Sequence, residues 1–275
     1  MKSTLIILLV TSCLFNLQSQ NFEKITFDAS TPDGYYLAVK PASGDPGGVL
    51  LLLPGFAQSA ESVFPESKLP NVAYVNGILT VAIAGGRKLY ADDEVVKRLN
   101  KAITHIQKEY KVGADKFIIG GFSAGGTIGL RYAEYCNQFP EQAPIKPKAV
   151  FAVDSPVDLF GIWNYFQREI KKNYSEAGVG EAKFVSEIML NEIGDPASNK
   201  KGYDELTPFS TQRDEPGNEK FITKIPVRFY EDVDVAWQLE NRRRSLYDSN
   251  ALDASELINR LLLQGNEKAE FIRSE

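Results

Sequence analysis

The sequence predicts an α/β fold, a mostly parallel sheet with helices on both faces. Two observations carry this. Apolar runs at 49–53, 78–84, 117–119 and 149–153 have the length and residue types of strands buried on both faces. Between them lie segments of helical spacing, clearest at 93–110, where Val95, Leu99, Ala102, Ile103, Ile106 and Tyr110 form one stripe. Strands and helices alternating in this way build a parallel sheet through right-handed crossovers. A chain of 275 residues is long enough for one large domain with a sizeable core.

In chain order, residues 1–20 stand apart from the fold. Lys2 precedes the apolar run 5–10, and the polar Gln18, Ser19 and Gln20 follow. That is the order of a secretory signal, too short to span a membrane. Cleavage near Gln20 and export, to the periplasm or beyond, are expected, with the domain occupying 21–275. Val10-Thr11-Ser12-Cys13 also resembles a bacterial lipoprotein box, and lipidation of Cys13 would be the route to membrane contact. With Cys13 removed or lipidated, Cys136 has no disulfide partner, so the core must supply the stability.

Residues 24–27 and 35–39 read as short strands around the turn-former Pro32-Asp33-Gly34. Gly47-Gly48 releases the run 49–53, which stops at Pro54-Gly55-Phe56. Segment 60–75 reads as a helix broken by prolines, followed by the strand 78–84. Asp92, Asp93 and Glu94 have the look of a metal site, but a helix N-terminus attracts carboxylates without any metal, so they read as caps.

After the strand ending at Asp154 comes an insertion of about 155–208, whereas a plain crossover with its helix needs only about a dozen residues. Leu159, Ile162, Trp163, Phe166 and Ile170 share a helical face in it, and a second amphipathic piece spans 182–193. That face either closes as a lid over an apolar mouth around Phe56 and Phe122 or packs on the sheet like any other helix. Phe122 and Trp163 are the candidate substrate contacts of the lid reading. The strand 226–230 then leads to Glu231-Asp232-Val233-Asp234, and a helix at 255–263 and a strand at 268–272 follow.

The stretch 117–133 is the most informative. It begins as a buried strand, becomes Gly121-Phe122-Ser123-Ala124-Gly125, and continues with helical spacing. A serine on such a turn is held in strained geometry with its hydroxyl at the sheet edge. The glycines on either side leave room for the tight approach. The turn also aims the first helical amides, Ala124 foremost, at the place where an oxyanion would form. Gly-x-Ser-x-Gly by itself is common, and its place between strand and helix is what makes it specific. Ser123 is the candidate nucleophile; the plain alternative is a glycine-rich turn that cradles a phosphate or nothing.

The net charge of −5 argues against nucleic acid as a partner, and no basic stretch is interleaved with aromatics. Arg242-Arg243-Arg244 reads as a solvated or salt-bridged helix face.

With the Ser123 turn and the order of apolar strands around it, the chain resembles the α/β-hydrolase superfamily of serine hydrolases over essentially its whole mature length. The resemblance implies the α/β-hydrolase fold and a carboxylesterase-like enzyme acting on a small-molecule acyl substrate, without cofactor or metal. A peptidase of the same fold and a catalytically inactive binding protein are the alternatives. In that family one oxyanion amide comes from the loop after the strand equivalent to 49–53. That loop is Pro54-Gly55-Phe56 here, with proline where many members carry histidine, so Phe56 would pair with Ala124. The family's acid follows the strand equivalent to 227–230, which points to Asp234 first, Asp232 next, and Asp154 on the preceding strand third.

The family's base is a histidine after the last strand. The sole histidine, His105, lies upstream of Ser123, on the flank of an outer helix roughly 100° from its apolar stripe. Two readings of this remain: a last segment carrying the histidine is missing, which is the expectation, or the fold has lost its base.

Overall fold

The computed structural model describes residues 21–84 and 86–273. The expected signal at 1–20, with Cys13, lies outside them. The described residues build one eight-stranded sheet. Its strands are β1 (Phe22–Thr26), β2 (Tyr35–Val39), β3 (Gly48–Leu53), β4 (Ile78–Ile83), β5 (Phe117–Phe122), β6 (Ala149–Val153), β7 (Val227–Glu231) and β8 (Ala269–Arg273). Their spatial order is β1-β2-β4-β3-β5-β6-β7-β8. β2 pairs antiparallel with β1 and β4, and β3 through β8 run parallel. The chain steps from β3 outward to β4, then returns to lay β5 on the other side of β3. That reversal opens a crevice at the carboxyl ends of β3 and β5, the place where open α/β sheets bind ligands.

The helices are α1 (Val63–Glu66), α2 (Leu69–Val75), α3 (Asp93–Tyr110), α4 (Ala124–Gln138), α5 (Leu159–Lys172), α6 (Glu176–Glu192), α7 (Lys200–Leu206), α8 (Val235–Asn241) and α9 (Asn250–Leu263). Val49, Leu51 and Leu53 of β3 and Phe117 and Ile119 of β5 face α3, α4 and α9, where Leu99, Ile103, Ile128 and Leu257 complete the main core. Leu50 and Leu52 turn to the opposite face and meet Val63 and Ala73. α1 and α2 cover that face toward β4; farther along it, Ile118, Phe151 and Tyr230 stay half-buried. Asp92 caps α3 by accepting from the Val95 amide at 2.9 Å. α9 starts at Asn250, five residues before the expected 255, because Ala251 and Ala254 extend its buried stripe.

Neither reading of the insertion's apolar face holds. Leu159, Phe160, Tyr165 and Phe166 pack with Ala182, Val185 and Met189 of α6 and Tyr203 of α7, a core separate from that of the sheet. Ile162, Trp163 and Ile170 are half-buried against it. The insertion brings its own second layer. α6 runs longer than the expected 182–193 because the Ser175 hydroxyl accepts from the Gly178 amide and starts it early. At the base, Asp158 is 1% exposed. It accepts from the Phe160 and Gly161 amides where the insertion starts and from the Thr211 amide just beyond its end.

Candidate active site

The carboxyl ends of β5, β6 and β7 form a staircase of backbone bonds. The Ser123 amide donates to Val153 at 2.9 Å, and the Asp154 amide donates to Tyr230 at 2.9 Å. Ser123, Asp154 and Glu231 therefore stand on one row along the sheet edge. By strand spacing, Asp154 is ~5 Å and Glu231 ~10 Å from Ser123 along that row.

Ser123 has φ 52° and ψ −126°, a backbone state that costs a residue with a β-carbon about 1–3 kcal/mol. The surroundings over-determine it. A β-carbon at Gly121 would lie 2.3 Å from the Gly125 carbonyl carbon, and one at Gly125 would lie 2.1 Å from the Leu53 carbonyl oxygen. One at Gly126 would lie 2.0 Å from the Ser155 hydroxyl. The start of α4 is thus pressed onto β3 and β6 with no room for side chains. Ser123 is half-buried, and its hydroxyl has no hydrogen-bond partner among the described residues.

The loop after β3 is equally constrained. The Gly55 amide donates to the Gln58 side chain at 2.7 Å, the Gln58 amide to the Gly55 carbonyl at 3.1 Å, and the Ala57 amide to Gly86 at 3.2 Å. Ala57 has φ 57°. Of the amides from 55 to 58, Phe56 alone makes no bond among the described residues, and the same holds for Ala124 at the start of α4. Gln58 is a residue that sequence reasoning missed; a glutamine side chain closing its own loop leaves no mark in a motif.

Phe122 is 42% exposed. With Leu52, Pro54, Val63, Leu69 and Phe151 it lines an apolar cavity of about 430 Å³. Phe56 reaches the insertion instead, its ring 6.2 Å from that of Phe184 on α6. Trp163 lies within the insertion's own core on α5.

The acids after β7 divide into exposed and buried. Asp234 is exposed and caps α8, accepting from the Trp237 amide at 2.8 Å. Asp232 is exposed and lines a small cavity with Asp154, Glu231 and Arg244. Glu231 is 4% exposed, and its Oε1 has no partner. Burial, helped by Asp154 beside it, pushes its carboxyl up to about 8. Asp154 has φ 42° and takes the Asn250 side-chain amide at 2.9 Å. Glu231 and Asn250 were not singled out from the sequence, since only the fold brings them to Asp154.

His105 pairs its Nδ1 with the Tyr36 hydroxyl at 3.1 Å. Tyr36 is on β2, three strands from β5, or ~14 Å across the sheet. Arg242, Arg243 and Arg244 follow the end of α8 rather than forming a helix face; Arg243 is exposed, and the three lie over the rings of Trp237, Tyr174 and Tyr165.

No family model matches the chain, and no curated protein does. Solved structures match. FphF, a Staphylococcus aureus fluorophosphonate-binding serine hydrolase with substrate bound, superposes with a TM-score of 0.60 at 10% identity, over 92% of this chain and 89% of its own. The Francisella virulence factor BioJ gives 0.54 at 13% identity, over 93% of this chain and 74% of its own. The Pyrococcus horikoshii acylaminoacyl peptidase gives 0.58 at 12% identity, over 94% of this chain but 38% of its own. At these identities the likeness is one of fold. Strand order, the crevice between β3 and β5, and these superpositions together give one conclusion: the chain has the α/β-hydrolase fold.

Proposed function

We propose that the protein is a serine hydrolase that cleaves an ester or related acyl bond, with Ser123 as nucleophile. One observation carries the proposal. At the switch-point crevice, the strained Ser123 hydroxyl and the amides of Phe56 and Ala124 have no partner among the described residues. Attack of Oγ on the acyl carbon would move the carbonyl π pair onto oxygen, which the two amides would receive. Such donors contribute roughly 3 kcal/mol of barrier each. The hydroxyl proton would pass to a base, the alcohol would leave, and water would release the acyl group. A carboxylate of the β6–β7 edge, Asp234, Asp232 or Asp154, would orient that base. Export through the leader at 1–20 belongs to the same proposal and is supported by the residue pattern alone.

A fluorophosphonate probe tests this directly. Labelling of Ser123 that disappears in Ser123→Ala is expected; labelling that persists in the variant overturns the assignment. The second reading, a binding protein on the same fold, is favoured by His105, which is engaged with Tyr36 far from Ser123. It predicts ester turnover no higher in the wild type than in Ser123→Ala.

A further inference from the structure

Glu231 presents an anomaly that the proposed chemistry does not use. It is the last residue of β7, is 4% exposed, and leaves Oε1 without a partner. Its neighbour across the staircase is Asp154, about one strand spacing away and lining the same small cavity. Two ionised carboxylates cannot bond to each other; with one proton between them they can, because a protonated carboxyl donates. The buried member holds that proton more readily, since burial penalises charge. Among the described residues no cation is paired with either carboxylate. Arg244 gives Nη2 to the Asp248 carbonyl at 2.7 Å and lies over the Tyr165 ring. Arg273, the register neighbour on β8, is exposed, and Asp232 and Asp234 on the following loop carry the wrong sign. Gln238, Ser245, Ser249 and Asn250, which close the cavity, are neutral.

We propose that Glu231 donates its proton to Asp154, and that this bond is a latch positioning the left-handed turn at the end of β6 from which the Ser123 backbone hangs. Asp154 sits at φ 42°, a state that an L residue keeps only when its surroundings hold it. Asn250 grips its carboxylate from α9, and Glu231 stands beside it at the end of β7. The residue before it, Val153, accepts the Ser123 amide. Releasing the Glu231 proton puts two negative charges against each other at the root of the insertion and loosens the rung that carries the elbow. The latch is a positioning device, not a catalytic group, and it rests on the backbone staircase rather than on Ser123 being reactive.

The direction of the pH effect follows from the carboxyl being raised from its ordinary 4.5 to about 8. The folded protein keeps a proton that the unfolded chain releases near 4.5. Stability from this group is therefore complete below pH 4.5, declines as pH rises toward 8, and changes no further above it. The test compares the melting of the 275-residue wild type with Glu231→Gln and Asp154→Asn from pH 4.5 to 9. Glutamine keeps a donor toward Asp154 and cannot ionise; asparagine offers Glu231 a donor and removes the opposing charge. Relative to Glu231→Gln, the wild-type unfolding constant should rise by up to about tenfold per pH unit within that window. Asp154→Asn should show a shallower rise than the wild type.

Amide exchange, corrected for its intrinsic rate, is the local readout. Protection at Asp154 and Ser123 should fall between pH 6 and 9 in the wild type and hold in Glu231→Gln. Equal pH slopes in the wild type and Glu231→Gln, an unchanged slope in Asp154→Asn, or protection at Asp154 and Ser123 that ignores pH would each overturn the latch. All of these can be measured in a Ser123→Ala background, so the outcome is independent of the labelling test.

Discussion

The Ser123 elbow and the β7–α8 edge lie on the same rim of one sheet, yet they are held in place by opposite means. At the elbow, position is fixed by the chain itself: backbone meets backbone at Gly121 and Gly125, and no side chain could intervene. At the β7–α8 edge, α8 buries none of its residues, Val235, Trp237 and Leu239 are exposed, and the helix start is held by a side-chain bond, the Asp234 carboxylate accepting from the Trp237 amide. The first arrangement leaves no room for a side chain at Gly121 or Gly125. The second can be altered residue by residue, and the proposed latch would make it respond to protonation. The reactive end of the proposed site is placed by backbone packing, and its supporting end by side chains.

Glycine substitutions should strain this contrast most. Gly125→Ala places a β-carbon against the backbone oxygens of Leu53 and Pro54 and should cost about 4 kcal/mol or more, read as loss of cooperative melting. Gly120→Ala meets the Phe151 ring instead, at 1.9 Å. That ring is half-buried on the more open sheet face and can swing away, so about 1–2 kcal/mol is expected. Equal costs in chemical denaturation would mean that the elbow is no more constrained than the rest of β5. Next in size, Ser123→Gly should raise stability by about 1 kcal/mol while abolishing fluorophosphonate labelling, because glycine adopts φ 52° without strain. Ser123→Ala, which keeps the β-carbon, should gain nothing; a matching gain in alanine would show that the turn is unstrained. The smallest effect belongs to the far edge, where Asp234→Ala removes a cap from an exposed short helix. A loss of about 1 kcal/mol or less is expected, and a larger one would show that α8 is tied to the core after all.

The same contrast explains what could be read from the residues. The strands announced themselves as apolar runs, and the elbow as a contiguous glycine-serine motif, since both are properties of adjacent positions. Phe56 was singled out only through the resemblance, by its place after the strand equivalent to β3. The insertion was visible as excess length, but the partner of its apolar face was not. Period gives the direction of a stripe, and nothing in it says that Ala182, Val185 and Met189 will cover Phe160 and Phe166. Glu231 and Asn250 were invisible for a related reason. Each is an ordinary polar residue until the crossovers set β6, β7 and α9 side by side.

The Asp158 clasp has a consequence for how the molecule is partitioned. One carboxylate gathers the amides of Phe160, Gly161 and Thr211, so the chain leaves the sheet and returns to it at a single point. Beyond that point the segment is attached by Tyr90, which is buried in its apolar cluster, by the Phe56–Phe184 ring contact, and by polar side chains, Glu192 to Tyr90 and Lys88 and Arg168 to Asp248. A segment with its own core and a common doorway behaves as a cassette. Its length and sequence can be exchanged while Val150 stays opposite Val227 and the register of β6 with β7 is kept. The insertion can therefore diversify while the pairing of the strands on either side of it is kept.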